Sequence, residues 1–420
     1  MSEQISIKPK SLKSNTLYLY LLTFSNYLLG FLTVPYQTRI LGPEAYGIVS
    51  FATAIAVYFN LFLDFGFLLS GTKSVNKSIR SGKSISIILT SITIAKLLLF
   101  CTLVFLFLIL VIFIPTFHKY TLVLSLYLLL SLLNSLLPDY IYRGFENMKK
   151  LTFRTIFVRA AFTMLIFIFM NHPDQYYFVP LFQIIGAFLA LVWSFYDIQR
   201  SFMIKFTKVT ILDIFISIKE ASIYFLSRIA TTIYNGTNTV ILGFIYPESV
   251  VGFYTTGTKV RQLFSQAEAP ICDSIYPYMT RTSNFKRLFR ITIILEIPII
   301  IAAAILWIYA KPIMVFVFGQ EYAPAADILR LTIPIIIINF PGKMFGFPAL
   351  TPLGKEKWAN LSNVIAMTNQ LILISLLFLF DSISIKNIII CTIISEYLGA
   401  SIRFFIFIKA YVIKKNYRYN

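Results

Sequence analysis

Long apolar runs, separated by short polar connections, fill almost the whole chain. They fall at 15–37, 45–70, 85–114, 121–142, 152–171, 176–197, 217–245, 249–279, 289–310, 326–350, 359–380 and 388–410. A helix rises 1.5 Å per residue, so roughly 20 apolar residues cross a hydrocarbon core about 30 Å thick. Each run therefore predicts one spanning helix. The expected fold is all-α and integral to a membrane, with about twelve transmembrane helices. Spans 3 and 8 exceed the minimum and are expected to tilt or kink. The first run follows Lys8, Lys10 and Lys13. It is longer than a signal-peptide core and no small-residue cleavage site follows it, so it reads as an uncleaved first span.

Four of these runs are interrupted by polar residues at helical spacing. Span 1 has Asn26, Gly30, Thr33 and Gln37, and span 2 has Ser50, Thr53, Asn60 and Asp64. Span 7 has Tyr224, Arg228, Thr231, Asn235 and Asn238. Span 8 has Lys259, Gln262, Gln266 and Asp273 on one side, and Arg261, Ser265, Glu268 and Cys272 on another. Steps of three, four and seven residues put each set on one face of its helix. Polar groups are costly in lipid and turn toward protein or water. Two readings stand: interhelical packing by small and amide side chains, or the wall of an aqueous cavity. The ionisable residues of span 8 exceed what packing needs and favour the cavity. Lys96 and Arg159 lie near span ends, where long side chains can snorkel to the interface. Pro334, Pro341, Gly342, Gly346, Pro348 and Pro352 predict a bent or broken tenth span around Lys343. Glu396 and Arg403, seven apart in span 12, can face one side.

Composition sharpens this picture. The chain of 420 residues is 58% hydrophobic and 13% charged, about half the charge of a soluble domain. The net charge of +19 invites a nucleic-acid partner, but its distribution argues otherwise. Of 37 Lys and Arg, 24 lie at the N-terminus or in 71–84, 143–155, 198–215, 280–290, 351–358 and 409–420. The alternating connections carry only 4, and the other 9 fall inside spans. That asymmetry is the positive-inside pattern. It predicts both termini in the cytoplasm of a bacterial inner membrane, and no nucleic-acid binding. Cys101, Cys272 and Cys391 have no metal-ligand spacing, so neither a metal nor a disulfide framework is expected. No phosphate-binding loop of the Walker type occurs, and no cofactor is expected.

The basic connection 198–215 predicts a division into two six-helix bundles, 1–212 and 213–420. Ile40-Leu41-Gly42-Pro43-Glu44 joins spans 1 and 2. Ile241-Leu242-Gly243 followed by Pro247-Glu248 joins spans 7 and 8, with Gly47 and Gly252 at similar positions after them. Six spans per half put these turns on the same side of the membrane. The expected relation is a parallel pseudo-two-fold repeat around a central cavity, one of the known transporter plans.

The stretch Phe31 to Gly71 carries a late Pro in span 1, then Arg39-x-Leu-Gly-Pro-x-x-Tyr-Gly and Asp64-x-Gly66. It resembles the start of the O-antigen (Wzx-type) polysaccharide-repeat flippases of the multidrug/oligosaccharidyl-lipid/polysaccharide exporter superfamily. Val251 to Pro277 resembles that family's eighth span, and Phe318-Gly319-Gln320-Glu321-Tyr322 its outer loop before the tenth. Arg39, Gly42, Pro43, Tyr46 and Gly47 are the family-motif turn. The resemblance implies two bundles around a cavity lined by spans 1, 2, 7 and 8. It also implies a polyprenyl-diphosphate-linked oligosaccharide as substrate, and membrane lipids, a polysaccharide polymerase and a chain-length regulator as partners. On that reading Arg261, Lys259 and Arg228 neutralise the diphosphate, while Asn26, Asn60, Asn235, Gln262 and Gln266 meet sugar. Asp64, Glu268 and Asp273 are the candidate ion-coupling or gating groups. An internal ion pair between Arg261 and Glu268 is the structural alternative. A membrane polymerase or glycosyltransferase is the rival enzyme class, but the outer segments leave little room for a catalytic domain. A drug exporter of the same superfamily suits the cation-rich span 8 less well.

Overall fold

The computed structural model describes residues 12–82 and 84–416, and every regular element among them is a helix. The α-helices are α1 (Leu12–Asp64), α2 (Phe67–Ser81), α3 (Ile85–Phe113), α4 (Pro115–Lys119), α5 (Thr121–Leu136), α6 (Asp139–Gly144), α7 (Met148–Phe169) and α8 (Phe178–Phe202). They continue with α9 (Ile211–Ile245), α10 (Glu248–Thr282), α11 (Phe285–Ile308), α12 (Ala310–Phe318), α13 (Ala325–Met344), α14 (Phe347–Leu350), α15 (Glu356–Leu379) and α16 (Ile385–Asn416).

Nine helical stretches among the described residues are long and apolar enough to cross a membrane. The first, Leu17–Ser81, holds two of the expected spans, because Gly42 (φ 69°, ψ 177°) interrupts the helix between them. Gly42 adopts this conformation without a Cβ clash, and the following Pro43 has no N–H to lose. Two more helices, α9 and α10, are 35 residues long but too polar to stand out by hydropathy. With these the fold has the twelve expected spans. The outward faces suit lipid: Phe105, Ile112 and Phe113 of α3 and Phe316 of α12 are strongly exposed. In water such surfaces would be a liability; in hydrocarbon they cost nothing.

The chain divides into two compact units, Met1–Thr232 and Ile233–Asn420. In the first, α1 packs on α5 and α7, α8 packs on both of those, and α2 packs on α6 and α3. A cluster containing Phe67, Leu89, Ile141, Leu151 and Ile198 takes in Ala221 of α9. The early turns of α9 therefore belong to this unit, and the division falls inside that helix rather than in the 198–215 connection. Thr210 and Asp213 exchange hydrogen bonds at its start: the Thr210 amide and hydroxyl donate to Asp213 Oδ2 (2.8 and 2.7 Å), and the Asp213 amide donates to Thr210 Oγ1 (3.2 Å). That reciprocal cap fixes where α9 begins.

In the second unit α13 is the hub, packed on α10, α11 and α16, with α15 against α16. Its core stacks Phe285, Phe289, Phe345, Phe407 and Tyr411 with ring centroids 5.1–5.7 Å apart, a spacing at which aromatic pairs attract. The expected break in span 10 is present. The helix runs through Pro334 and Pro341, ends at Met344, and restarts as α14 after Gly346. Lys96 does not snorkel. It is 3% exposed, donates to the Ser135 carbonyl, and lies 5.7 Å from the ring centres of Phe67 and Tyr140.

Candidate functional site

In the first unit the polar stripes meet where α1 ends. Phe65 (φ 42°) and Gly66 (φ 84°) turn the chain from α1 into α2. A Cβ on Gly66 would lie 2.6 Å from the Ala221 carbonyl oxygen and 2.7 Å from Tyr224 Cβ. Only glycine allows α9 to approach this closely with that backbone angle. Phe65 stacks on Phe225 at 4.4 Å, and the contact sets Asp64 directly against Arg228, which bind each other as an ion pair. The two residues with separate expected roles, one in coupling and one at the substrate, thus form a single pair. Asn60 does not assist Asp64; its amide donates to the Ala56 carbonyl at 2.7 Å.

Along the rest of α1 the stripe is partly satisfied by its own helix. Thr33 donates to the Leu29 carbonyl, and Gln37 is buried. Asn26 keeps a buried amide oxygen with no hydrogen-bond partner among the described residues. The motif turn is built as a packing element: Tyr46 and Gly47 are buried, Tyr46 bonds Ser50, and Arg39 stays exposed. The second copy of the turn is built differently. Leu242 is buried like Leu41, but α9 continues past Gly243 to Ile245, and Pro247 caps α10.

In the second unit α10 carries the densest chemistry. Lys259, Gln262 and Gln266 are half-buried on one face, and the Lys259 ammonium has no hydrogen bond or ion pair among the described residues. Asp273 is exposed near the end of that face. On the other face Arg261 Nη1 lies 4.0 Å from Glu396 Oε1 of α16. Glu268 is 3% exposed and is engaged from α13: Lys343 Nζ lies 3.1 Å from its Oε2 and Asn339 Nδ2 donates to the same oxygen at 2.7 Å. Lys343 also donates to the Ser265 carbonyl (2.6 Å) and hydroxyl (2.8 Å). The pair expected from spacing, Arg261 with Glu268, is thus not the pair that forms. Each partner is claimed by a residue far away in sequence.

Asn238 belongs to a buried polar knot rather than an open stripe. Its amide donates to Tyr254 (3.1 Å) and Thr392 (3.0 Å), and Gln370 donates to its oxygen at 2.9 Å. The side chains of Thr231 and Asn235 lie outside the described residues. Arg403 is a helix–helix clamp, bonding the Gly342 carbonyl, Ser362 and Asn363. Two participants were missed in the sequence, Asn339 and Glu296. Each sits in a strongly apolar run, with one polar neighbour four residues away: Lys343 for Asn339 and Thr292 for Glu296.

A helical membrane protein with this order of long, broken and polar spans has the fold of the exporter superfamily whose motifs it resembles. An inward-facing multidrug resistance MATE family transporter of the MOP superfamily aligns over 98% of each chain with TM-score 0.67 at 14% identity. The lipid II flippase MurJ, in an inward closed conformation, aligns over 94% of this chain and 89% of its own with TM-score 0.67 at 15% identity. The sequence family described as polysaccharide biosynthesis protein matches residues 12–283, and this chain belongs to it. A candidate O-antigen transporter of Escherichia coli (strain K12) is 26% identical over 390 residues, covering 91% of this chain and 94% of that protein. One of Shigella dysenteriae is 25% identical over 352 residues, covering 82% and 88%.

Proposed function

We propose that this protein is a flippase. It moves a polyprenyl-diphosphate-linked oligosaccharide repeat unit from the cytoplasmic to the outer leaflet of the bacterial inner membrane, for O-antigen or another surface polysaccharide. The observation that carries the reading is the end-to-end likeness to proteins named as O-antigen transporters, within a polysaccharide biosynthesis family. The chemistry agrees with it. A sugar chain and a diphosphate cannot cross hydrocarbon unaided, and burying an unpaired charge there is expensive. The Lys259 ammonium, half-buried and unpartnered among the described residues, is a ready counter-charge for a phosphate, and Gln262 and Gln266 on its face offer amides to sugar hydroxyls. Arg261 is the second phosphate group on this reading, released from its loose contact with Glu396. A guanidinium holds phosphate through two parallel hydrogen bonds, whereas an ammonium acts as a point charge.

On this reading the spans with polar stripes, 1, 2, 7 and 8, line the cavity that holds the sugar and diphosphate while the prenyl tail stays in lipid. Rocking of one bundle against the other gives alternating access. Asp64, released from Arg228, and Glu268 are the groups through which an ion gradient biases the cycle. The polysaccharide polymerase and chain-length regulator are the proposed protein partners downstream. The direct test is deletion of the gene and extraction of lipid-linked sugars. Accumulation of one complete repeat unit on the cytoplasmic side, relieved by the wild-type gene, is the expected result. Loss of the lipid-linked unit itself would instead indicate an enzyme that makes it.

A further inference from the structure

Although α15 and α16 pack on each other, they leave an open groove of about 730 Å³ between them. Ser401, Phe405, Lys409 and Ile413 line it from α16, one stripe at steps of four residues. Ser401 and Ala410 are small, which leaves the space open. Across from them stand Trp358 and Ile365 of α15, with Lys355 just before that helix. The wall is apolar apart from Ser401 and the two lysines, and no carboxylate lines it; Glu356, next to Lys355 in sequence, is not part of the lining. Neither ammonium has a hydrogen bond or ion pair among the described residues. Lys355 stands at the start of α15 and Lys409 near the end of α16, in the 351–358 and 409–420 segments that the charge asymmetry predicts to be cytoplasmic. Trp358, 40% exposed at the same end, is a residue type that sits at the headgroup level of membranes. From Lys355 to Ile365 the chain rises about 15 Å, half of a hydrocarbon core about 30 Å thick. The groove therefore has the depth of one leaflet, with its positive charge at the headgroup end.

We propose that this groove binds one anionic glycerophospholipid of the cytoplasmic leaflet, with its phosphate at Lys355 and Lys409 and an acyl chain along the apolar wall. Basic pockets between spanning helices on the cytoplasmic side attract anionic headgroups in this way. A zwitterionic headgroup fits worse, because its own ammonium would meet two lysines and no acid. The transported lipid-linked sugar also fits worse. No Asn or Gln lines the groove to meet sugar hydroxyls, and none of the spans with candidate substrate residues contributes to it. The Ser401 hydroxyl, without a hydrogen bond among the described residues, lies deep in the wall and is too far from the lysines along α16 to belong to the headgroup site. A lipid seated here touches α15 and α16 together, so it stabilises the second unit as any ligand of the folded state does. The site is separate from the proposed transport cavity and does not depend on what is transported.

The experiment uses the purified, delipidated full-length protein in detergent, titrated with phosphatidylglycerol or with phosphatidylcholine. Native mass spectrometry counts the bound lipid, and the thermal unfolding midpoint reads its effect on stability. Wild type should retain one phosphatidylglycerol where phosphatidylcholine is stripped, and only phosphatidylglycerol should raise the midpoint. Lys355→Gln with Lys409→Gln should weaken phosphatidylglycerol binding by about 10–30-fold, the worth of two cations near a charged lipid surface. Lys355→Arg with Lys409→Arg should keep it. Ser401→Phe fills the groove, leaves both lysines in place, and should also lower retention; it decides the matter if the double Gln variant fails to fold. Equal retention of the two lipids by wild type would overturn the site, since ordinary lipid around the bundle explains it. Unchanged phosphatidylglycerol binding in the double Gln variant or in Ser401→Phe would overturn it as well. So would binding of a polyprenyl phosphate at these lysines in preference to phosphatidylglycerol. No transported substrate is present in the titration, so its outcome stands apart from that of the gene deletion.

Discussion

At the scale of single residues, the structure turns isolated charges into pairs, and the pairs decide what each substitution should do. Asp64 and Arg228 bind each other, so Asp64→Asn removes both a titratable group and the counter-charge of a cation offered to substrate. It should be inserted at normal level and fail to restore surface polysaccharide in a deletion strain; full restoration would rule out a working role for the pair. Arg261 is separable from its partner. Arg261→Ala should abolish export and Arg261→Lys should keep part of it, because the fork geometry is lost but the charge stays. If Arg261 served only to balance Glu396, Arg261→Ala combined with Glu396→Ala would recover export, and such recovery would remove it from the substrate site. Glu268 differs because its side chain is only 4% exposed. Lys343→Met should destabilise the protein by about 3–5 kcal/mol, the cost of stranding a buried charge, and adding Glu268→Gln should recover most of it. Thermal unfolding of the three variants checks this.

At the scale of elements, most of what the apolar pattern predicted is present, and the exceptions have local causes. The helices follow the runs because backbone groups in hydrocarbon must bond within their own segment. The turn at Gly42 and the break at Gly346 were legible because Gly and Pro are strong local punctuation. Lys96 was misplaced because its position along the span suggested an interface, while the cradle of Ser135, Phe67 and Tyr140 comes from other helices. Gly66 shows what one position contributes to an element. Its positive φ and its close approach to α9 leave no room for a methyl group. Gly66→Ala should cost about 1–3 kcal/mol and impair export, since it pushes α9, and Arg228 with it, away from Asp64. Crosslinking between cysteines introduced at 65 and 225 should fall in that variant; unchanged crosslinking and stability would show that the contact tolerates the methyl group.

At the scale of the whole molecule, the expected orientation is testable without reference to mechanism. The 24 to 4 asymmetry of Lys and Arg predicts that the basic connections face the cytoplasm. A reporter active only outside the cytoplasm should be silent after residues 80, 150, 205, 286 and 415, and active after 118, 174, 318 and 384. Activity at 205 would invert the second bundle and break the parallel repeat.

Sequence alone determined the number and order of the spans and the basic asymmetry of the connections. It also carried the motif that leads to the family. All of these are local properties: the length of an apolar run, the charge beside it, the residue types within a few turns. The division between the compact units was not legible, because it falls inside α9, where the chain shows no break. Nor were the partners within the candidate site. Asp64 meets Arg228 across 164 residues and Glu268 meets Lys343 across 75, whereas helical periodicity reports only which side chains share a face of one helix. Which acid neutralises which base, and which carboxylate is left over, depends on how α10 and α11 each pack against α13. That packing is a property of three helices at once, and only the tertiary structure decided it.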